Sequence, residues 1–423
     1  MNGNMRELAS RELVFYKEHL MTSVLPFWVK SVDSTYGGVF TCYDNYGYTL
    51  NSTDKYTWSQ GRFLWIWSRI ARLCESGILA GDSGVFLEEA QAAANFMEKN
   101  VYLHDGRCVF LLTREGNKKV VSEDGYDTSI YADCFVILGL SEYSLAKRDG
   151  MVLERALNLY DSVLQRIETG DYRTEPYPVP IGLRSHGISM ILLNVSEELS
   201  SAMEYFQHPR VGDVISQCVW FMEDVMTSFR SNDGLMMELI PINNADRTDS
   251  LRFRHINPGH SLEDMWFVLQ AQKQLGINQW TGDVLVTIKR TLELGWDHQY
   301  GGIFRFVDRH GGIPKGAIQG GHYEQLVMDT WDSKLWWTHS EALYSTLLAF
   351  VTSNDDDVFY WYLRIKDYVF NTFPQSDPSI GEWIQIRDRW GEPLNKVVAL
   401  PVKDPFHIVR DILLIIQLLE DVK

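Results

Sequence analysis

The sequence predicts an all-α ring, an (α/α)6 barrel (toroid) of about twelve helices with short β-hairpins in the connectors. Two observations carry this reading: stretches of 3.6-residue apolar periodicity follow one another along the whole chain, and a Gly-centred mark recurs between them. The periodic stretches are 7–28, 58–75, 86–99, 131–147, 152–167, 187–199, 209–229, 262–275, 281–294, 341–351, 358–373 and 406–419. The marks are YGGVF at Tyr36, HDGRCVF at His104, GDYRTEP at Gly170, NDGLMMEL at Asn232, YGGIFRF at Tyr300 and IGEWIQI at Ile380, roughly 60–80 residues apart. Turn-forming Gly and Asp followed by alternating apolar and polar residues predict hairpins. A unit of two helices and a hairpin cannot bury its own apolar face, so copies must stack. Six copies with long irregular connectors favour a closed ring over an open solenoid, and the whole chain, 1–423, then forms one domain. The longest connectors, 168–184, 241–259, 307–330 and 379–405, are expected to wall and cover a central pit.

Composition narrows the function. The net charge of −17 and the lack of a basic run exclude a nucleic-acid backbone or an anionic membrane surface as partner. The longest apolar run, 412–419, is too short to span a bilayer. The start MNGNMRELAS has no apolar segment of signal-peptide type. Five scattered cysteines without a Cys-x-x-Cys pair predict reduced thiols in a cytoplasmic protein, with neither a disulfide framework nor a zinc site. Aromatic content of 13%, with 14 Trp, suits a large helical core and also a cleft that stacks on sugar rings.

Four segments combine aromatics, a cation and acid/base groups. In NPGHSLEDMWF, Pro258 and Gly259 make a turn, and His260 and Glu263 then share a helix face, a plausible base with its orienting carboxylate. In KYTWSQGRFLW, Trp58 and Arg62 face the same way, and an Arg on such an apolar face needs an anionic or carbonyl partner from the protein or from a substrate. KLWWTHSEA brings Trp336, Trp337, His339 and Glu341 to one helix entrance, where Thr338 and Ser340 also read as caps. In PVKDPFHIVR, His407 begins the last helix, where the helix dipole disfavours the imidazolium. Two neutral imidazoles facing one pit suit proton removal from one face of a carbon and delivery to the other, with Arg62 placed to stabilise a developing enolate oxygen. Scattered structural histidines are the alternative.

These motifs, ordered from Tyr36 to Arg410 and including YGGVFTCYDNYG and the GEW turn, resemble the N-acylglucosamine 2-epimerase family, which includes renin-binding protein, cellobiose 2-epimerases and mannose or sulfoquinovose isomerases. The resemblance implies an (α/α)6 barrel in which His260 and His407 are the acid/base pair and Arg62 holds the substrate oxygen. It further implies that Trp58, Trp336 and Trp337 line the pocket, and that Glu263 and Glu341 orient the histidines and bind sugar hydroxyls. Ring opening, removal of the C2 proton and its return to the opposite face would then follow, with no metal or redox cofactor required.

Cellobiose epimerases and the aldose–ketose isomerases carry an Asn and, four residues on, a third His; the matching segment RSHGISMILLN has Arg184 and Ile188 there. That departure points to the N-acylglucosamine epimerases and to interconversion of N-acetyl-D-glucosamine and N-acetyl-D-mannosamine, with Arg184 and His186 expected at the substrate. The segment 311–329 looks longer than usual for the family. Animal members use ATP as an effector, although no Walker-type phosphate loop is present here. Dimers are common in the family, so a homodimer is one possible assembly, although the sequence itself does not reveal oligomeric state. The rival readings are an aldose–ketose isomerase or a mannose or cellobiose 2-epimerase on the same scaffold, a glycoside hydrolase using Glu263 and Glu341, and a protein-binding module of renin-binding type.

Overall fold

Six helices stand around an axis and six more surround them. The computed structural model describes residues 3–121, 125–243 and 249–423; part of the connector expected over 241–259, residues 244–248, lies outside them. The inner helices are Thr57–Glu75, Ile130–Lys147, His186–Tyr205, Pro258–Leu275, Trp336–Ser353 and Phe406–Val422. Each packs on the next, and the sixth returns to the first, so the ring is closed. The outer helices Ser83–Asn100, Gly150–Thr169, Val211–Asp224, Thr281–Gly295 and Asp356–Thr372 each follow and pack on an inner helix, and Gly3–His19 packs on the sixth. This is the (α/α)6 barrel that the periodicity predicts. Short helices Leu251–Arg254 and His322–Thr330 lie in connectors read from the sequence as irregular. The fifth inner helix starts at Trp336, five residues ahead of the periodic stretch.

Local chemistry sets the helix ends. Asp82, Asp149 and Asp355 cap outer helices by accepting from backbone N–H groups, and Asn257 does so for the fourth inner helix, whose first residue is Pro258. Gly170 and Gly276 end helices in the left-handed conformation. Five of the six Gly-centred marks are the turns of small hairpins: Val32 bridges Val39, Tyr102 bridges Cys108, Arg230 bridges Met236, Trp296 bridges Ile303 and Pro374 bridges Trp383; the mark at Gly170 is instead a helix C-cap, because its glycine terminates Gly150–Thr169. At Gly302 φ is 75°, and a Cβ there would meet the Tyr368 ring at 2.5 Å, so no side chain fits. The same ionic brace recurs under two marks. Lys55 donates to Asp33 (2.9 Å) and to the Gly37 carbonyl, and Lys334 donates to Asp297 (3.3 Å) and to the Gly302 carbonyl.

Every inner helix is entered from an extended segment that pairs with the segment leaving the outer helix of its own unit. The pairs are Lys55–Tyr56 with Leu111–Leu112, Ser129 with Thr174, Leu183–Ser185 with Leu239–Pro241, His255–Ile256 with Val307–Asp308, and Lys334–Leu335 with Ile386–Arg387. In the sixth unit Lys403 N donates to the Thr41 carbonyl at 2.8 Å. That unit is therefore built from both ends of the chain. Among the described residues no helix is long and apolar enough to cross a membrane.

Candidate active site

The first turns of the inner helices converge on a pit of about 230 Å³, near the small end of ligand sites, a scale suited to one sugar rather than a chain of them. Trp58, Tyr131, Gly187, His260, Trp337 and His407 each represent one helix in its wall. Connectors roof it. Tyr177 comes from one, Tyr323 from the short helix His322–Thr330, and Val398 from the last. Arg305 ties them, donating to the Val398 carbonyl (3.0 Å), to the Tyr177 hydroxyl (3.3 Å) and to Thr330 Oγ1 (3.0 Å).

His260 and His407 face this pit with the indole of Trp337 between them, at ring-centre distances of 5.3 and 5.8 Å. Gly259 makes that stacking possible, since a Cβ there would lie 2.3 Å from the Trp337 ring. The His260 side chain is 31% exposed and His407 12%, so His260 is the more open of the two. Each imidazole uses Nδ1 on a buried carboxylate: His260 on Glu238 (2.9 Å) and His407 on Glu341 (2.6 Å). A carboxylate only accepts, so Nδ1 carries a proton in both rings and Nε2 is left for the pit. Burial lowers the His407 imidazole well below its ordinary range; Glu263 opposes this, while Arg62 and Arg410 add to it. Burial and the two guanidinium groups act in the same direction as the helix dipole invoked from sequence.

Arg62 lies 3.4 Å from His407 Nε2. Its guanidinium pairs with Asp404 and sits over the rings of Trp58 (4.9 Å), Phe135 (4.0 Å) and Phe406 (4.9 Å), which hold a buried cation at the pit wall. Under His407, Arg410 crosses the floor and donates to Glu263 (2.6 Å) and Glu341 (2.5 Å). Glu341 also accepts from Trp266 Nε1 (2.6 Å) and is fully buried.

Several expectations change. Glu263 is not the partner of His260: it serves Arg410 and lies 3.7 Å from His407, while Glu238 takes the place beside His260. Glu341 orients His407 but is too deep to meet a sugar hydroxyl. Arg184 is outside the pit. It lies in the strand Leu183–Ser185, where side chains alternate, so Ser185 lines the pit while Arg184 turns away to Asp224. His186 is fully buried behind His260, on Asp264 at 2.6 Å. His339 accepts from Ile303 N–H and donates to the Leu335 carbonyl, which fixes it as a neutral structural group held down at about 3 by burial. Trp58, Trp336 and Trp337 line the pit.

Sequence reasoning missed Glu238, Asp404 and Arg410. Glu238 had a signal, a lone carboxylate in the apolar segment of the NDGLMMEL mark; Asp404 and Arg410 stand inside PVKDPFHIVR, each three residues from His407. Among the described residues, two groups bring metal-type donor atoms within 4.8 Å of one another, His186, Glu238 and His260, and Glu263, Glu341 and His407. In the second, Arg410 already bridges the two carboxylates where a cation would bind.

A closed ring of helix pairs with a sugar-sized pit at the inner-helix entrances is the architecture of the carbohydrate-acting (α/α)6 barrels. Within them the chain belongs to the N-acylglucosamine 2-epimerase (GlcNAc 2-epimerase) family, whose profile matches residues 38–410, and it is an isomerase. N-acylglucosamine 2-epimerase of Mus musculus is 26% identical over 419 residues, covering 95% of this chain and 90% of the relative. The Homo sapiens enzyme of the same name is 27% identical over 396 residues, covering 92% and 85%. Among solved structures, cellobiose 2-epimerase from Spirochaeta thermophila superposes with a TM-score of 0.78 at 16% identity, covering 100% of both chains, a likeness of fold.

Proposed function

We propose that the protein interconverts N-acetyl-D-glucosamine and N-acetyl-D-mannosamine by removing and returning the C2 proton of the open-chain sugar. The observation that carries this reading is the pair of imidazoles on either side of Trp337, each with Nδ1 on a buried carboxylate and Nε2 on the side away from it, that of His407 within 3.4 Å of Arg62. Once the ring opens, the aldehyde acidifies C2–H. One Nε2 takes that proton, the C2 electron pair moves into the C1–C2 bond, and negative charge collects on O1. Arg62, beside His407 Nε2, stabilises that oxygen. The other imidazole, entering protonated, then delivers a proton to the opposite face, the carbonyl re-forms, and solvent resets both rings. In this scheme Trp58, Trp336 and Trp337 pack the sugar, and no redox change or metal is needed.

The hydrolase alternative lacks support because Glu341 is held under the floor by Arg410 and Trp266. All five cysteines are unpaired, which favours the cytoplasm as the setting. The test is incubation of N-acetylglucosamine in D2O, followed by NMR. The expected product is N-acetylmannosamine carrying deuterium at C2. A ketose would replace this reading by aldose–ketose isomerisation, and exchange with mannose or cellobiose alone would move the substrate. No C2 exchange with any hexose or hexosamine would sink it.

A further inference from the structure

A line of ionisable groups runs away from the pit behind His260. Its Nδ1 meets Glu238 Oε2 at 2.9 Å, Glu238 Oε1 lies 3.7 Å from His186 Nδ1, and His186 Nε2 meets Asp264 Oδ2 at 2.6 Å. The backbone pins the middle link, His186 N donating to the Glu238 carbonyl at 2.9 Å. His186 and Asp264 are fully buried, and among the described residues no Lys or Arg pairs with Glu238 or Asp264.

The other histidine has a support of different chemistry but equal charge. His407 rests on Glu341, and Glu341 and Glu263 share the Arg410 guanidinium. A third carboxyl, Asp411, lies 3.6 Å from Arg410, but burial raises it well above the usual carboxylate range; the two remaining carboxylates and one cation leave one net negative charge under His407. Glu238 and Asp264 with a charged His186 leave the same under His260. We propose that His186 is a positioning residue, held as an imidazolium between Glu238 and Asp264, that matches the support of His260 to that of His407. The inference rests on the epimerase reading: a reaction that runs both ways asks each imidazole to be base in one direction and acid in the other. Two uncompensated buried carboxylates would instead hold His260 permanently protonated.

Burial works against a charge on His186, but Asp264 and then Glu238 raise it to about 10. The charged groups facing it are Glu238 from the hairpin, and Asp264 and His260 from the fourth inner helix. Beyond the Phe229 ring lies the Arg184–Asp224 pair.

Nitrogen-15 NMR of the wild-type imidazoles is expected to show both His186 nitrogens protonated at pH 7.5. His186→Gln should lower kcat about 10–100-fold, the scale seen when partners behind functional histidines are removed, with KM within about threefold. It should also move the acid limb of kcat/KM to higher pH, because Glu238 and Asp264 then hold the His260 proton more tightly. His186→Gln/Asp264→Asn, which restores one net negative charge, should return that limb toward wild type; a merely structural role would give no such rescue. A neutral His186 at pH 7.5, or an unmoved limb in a folded His186→Gln variant, overturns the proposal. If His186→Gln does not fold, the NMR of the wild type decides. A charged His186 in a protein that exchanges no C2 proton upholds the charge line and removes the epimerase reading instead.

Discussion

At the scale of single residues, the proposed chemistry depends on what each imidazole leans on. His260→Asn and His407→Asn should each reduce C2 exchange by about 10²–10⁴-fold, the range of general acid–base catalysis, with far-UV circular dichroism unchanged. Retained exchange in either variant would contradict the two-histidine reading. Arg410 is a different kind of residue. It is 2% exposed and carries two buried carboxylates, so Arg410→Met leaves Glu263 and Glu341 uncompensated and should cost about 3–5 kcal/mol in urea unfolding. Its guanidinium occupies the place a metal would take, and dialysis against a chelator should accordingly leave the C2 exchange rate at its untreated value. At this scale the sequence was partly legible. His260 and His407 announce themselves because each follows a Pro-containing turn into a helix. Glu238 does not, because it reaches His260 through backbone pairing with a segment some fifty residues earlier in the chain, beyond any local spacing rule.

The helices owe their legibility to periodicity, since each buries one stripe or, for the inner six, nearly all sides. What periodicity does not reveal is how closely two of them cross. At Gly61 a Cβ would lie 2.5 Å from the Phe135 carbonyl, and at Gly139 it would lie 2.5 Å from the Gly61 carbonyl. The first two inner helices therefore touch backbone to backbone, and this contact sets Arg62 on the Phe135 ring at 4.0 Å. Gly61→Ala or Gly139→Ala should cost about 1–3 kcal/mol as overpacking and raise KM by displacing Arg62 and Trp58, read by urea midpoint and steady-state kinetics. A destabilised variant with unchanged KM would separate the crossing from the site. The strand Leu183–Ser185 shows the complementary failure: a one-residue choice of parity decides whether Arg184 or Ser185 faces the pit, and no spacing in RSHGISM settles it.

For the whole molecule, buried histidines set a pH dependence with a definite sign. His339 is held at about 3 and His19 at about 4, both by burial, against an ordinary 6.5. Depressed values mean that the folded state refuses protons the unfolded chain accepts. Their contribution is complete above pH 6.5 and is lost as pH falls toward 4 and then 3. His186, raised to about 10, has the opposite sign: its contribution is complete below 6.5 and is lost as pH rises through 10. Urea unfolding should therefore show stability falling on both sides of neutrality, and a protein as stable at pH 5 as at pH 7.5 would count against the neutral burial of His339 and His19.

The unit made from both ends of the chain has a consequence for how the protein comes into being. The sixth inner helix carries His407, and its approach is tied to Thr41 and, through Asp404, to Arg62. A chain still emerging during synthesis already holds His260, Glu238 and most of the pit, yet it lacks the second imidazole until its last stretch docks against its first. On the two-histidine reading proposed above, maturation and catalytic competence are thus a single event, and a partly made ring is expected to exchange no C2 proton.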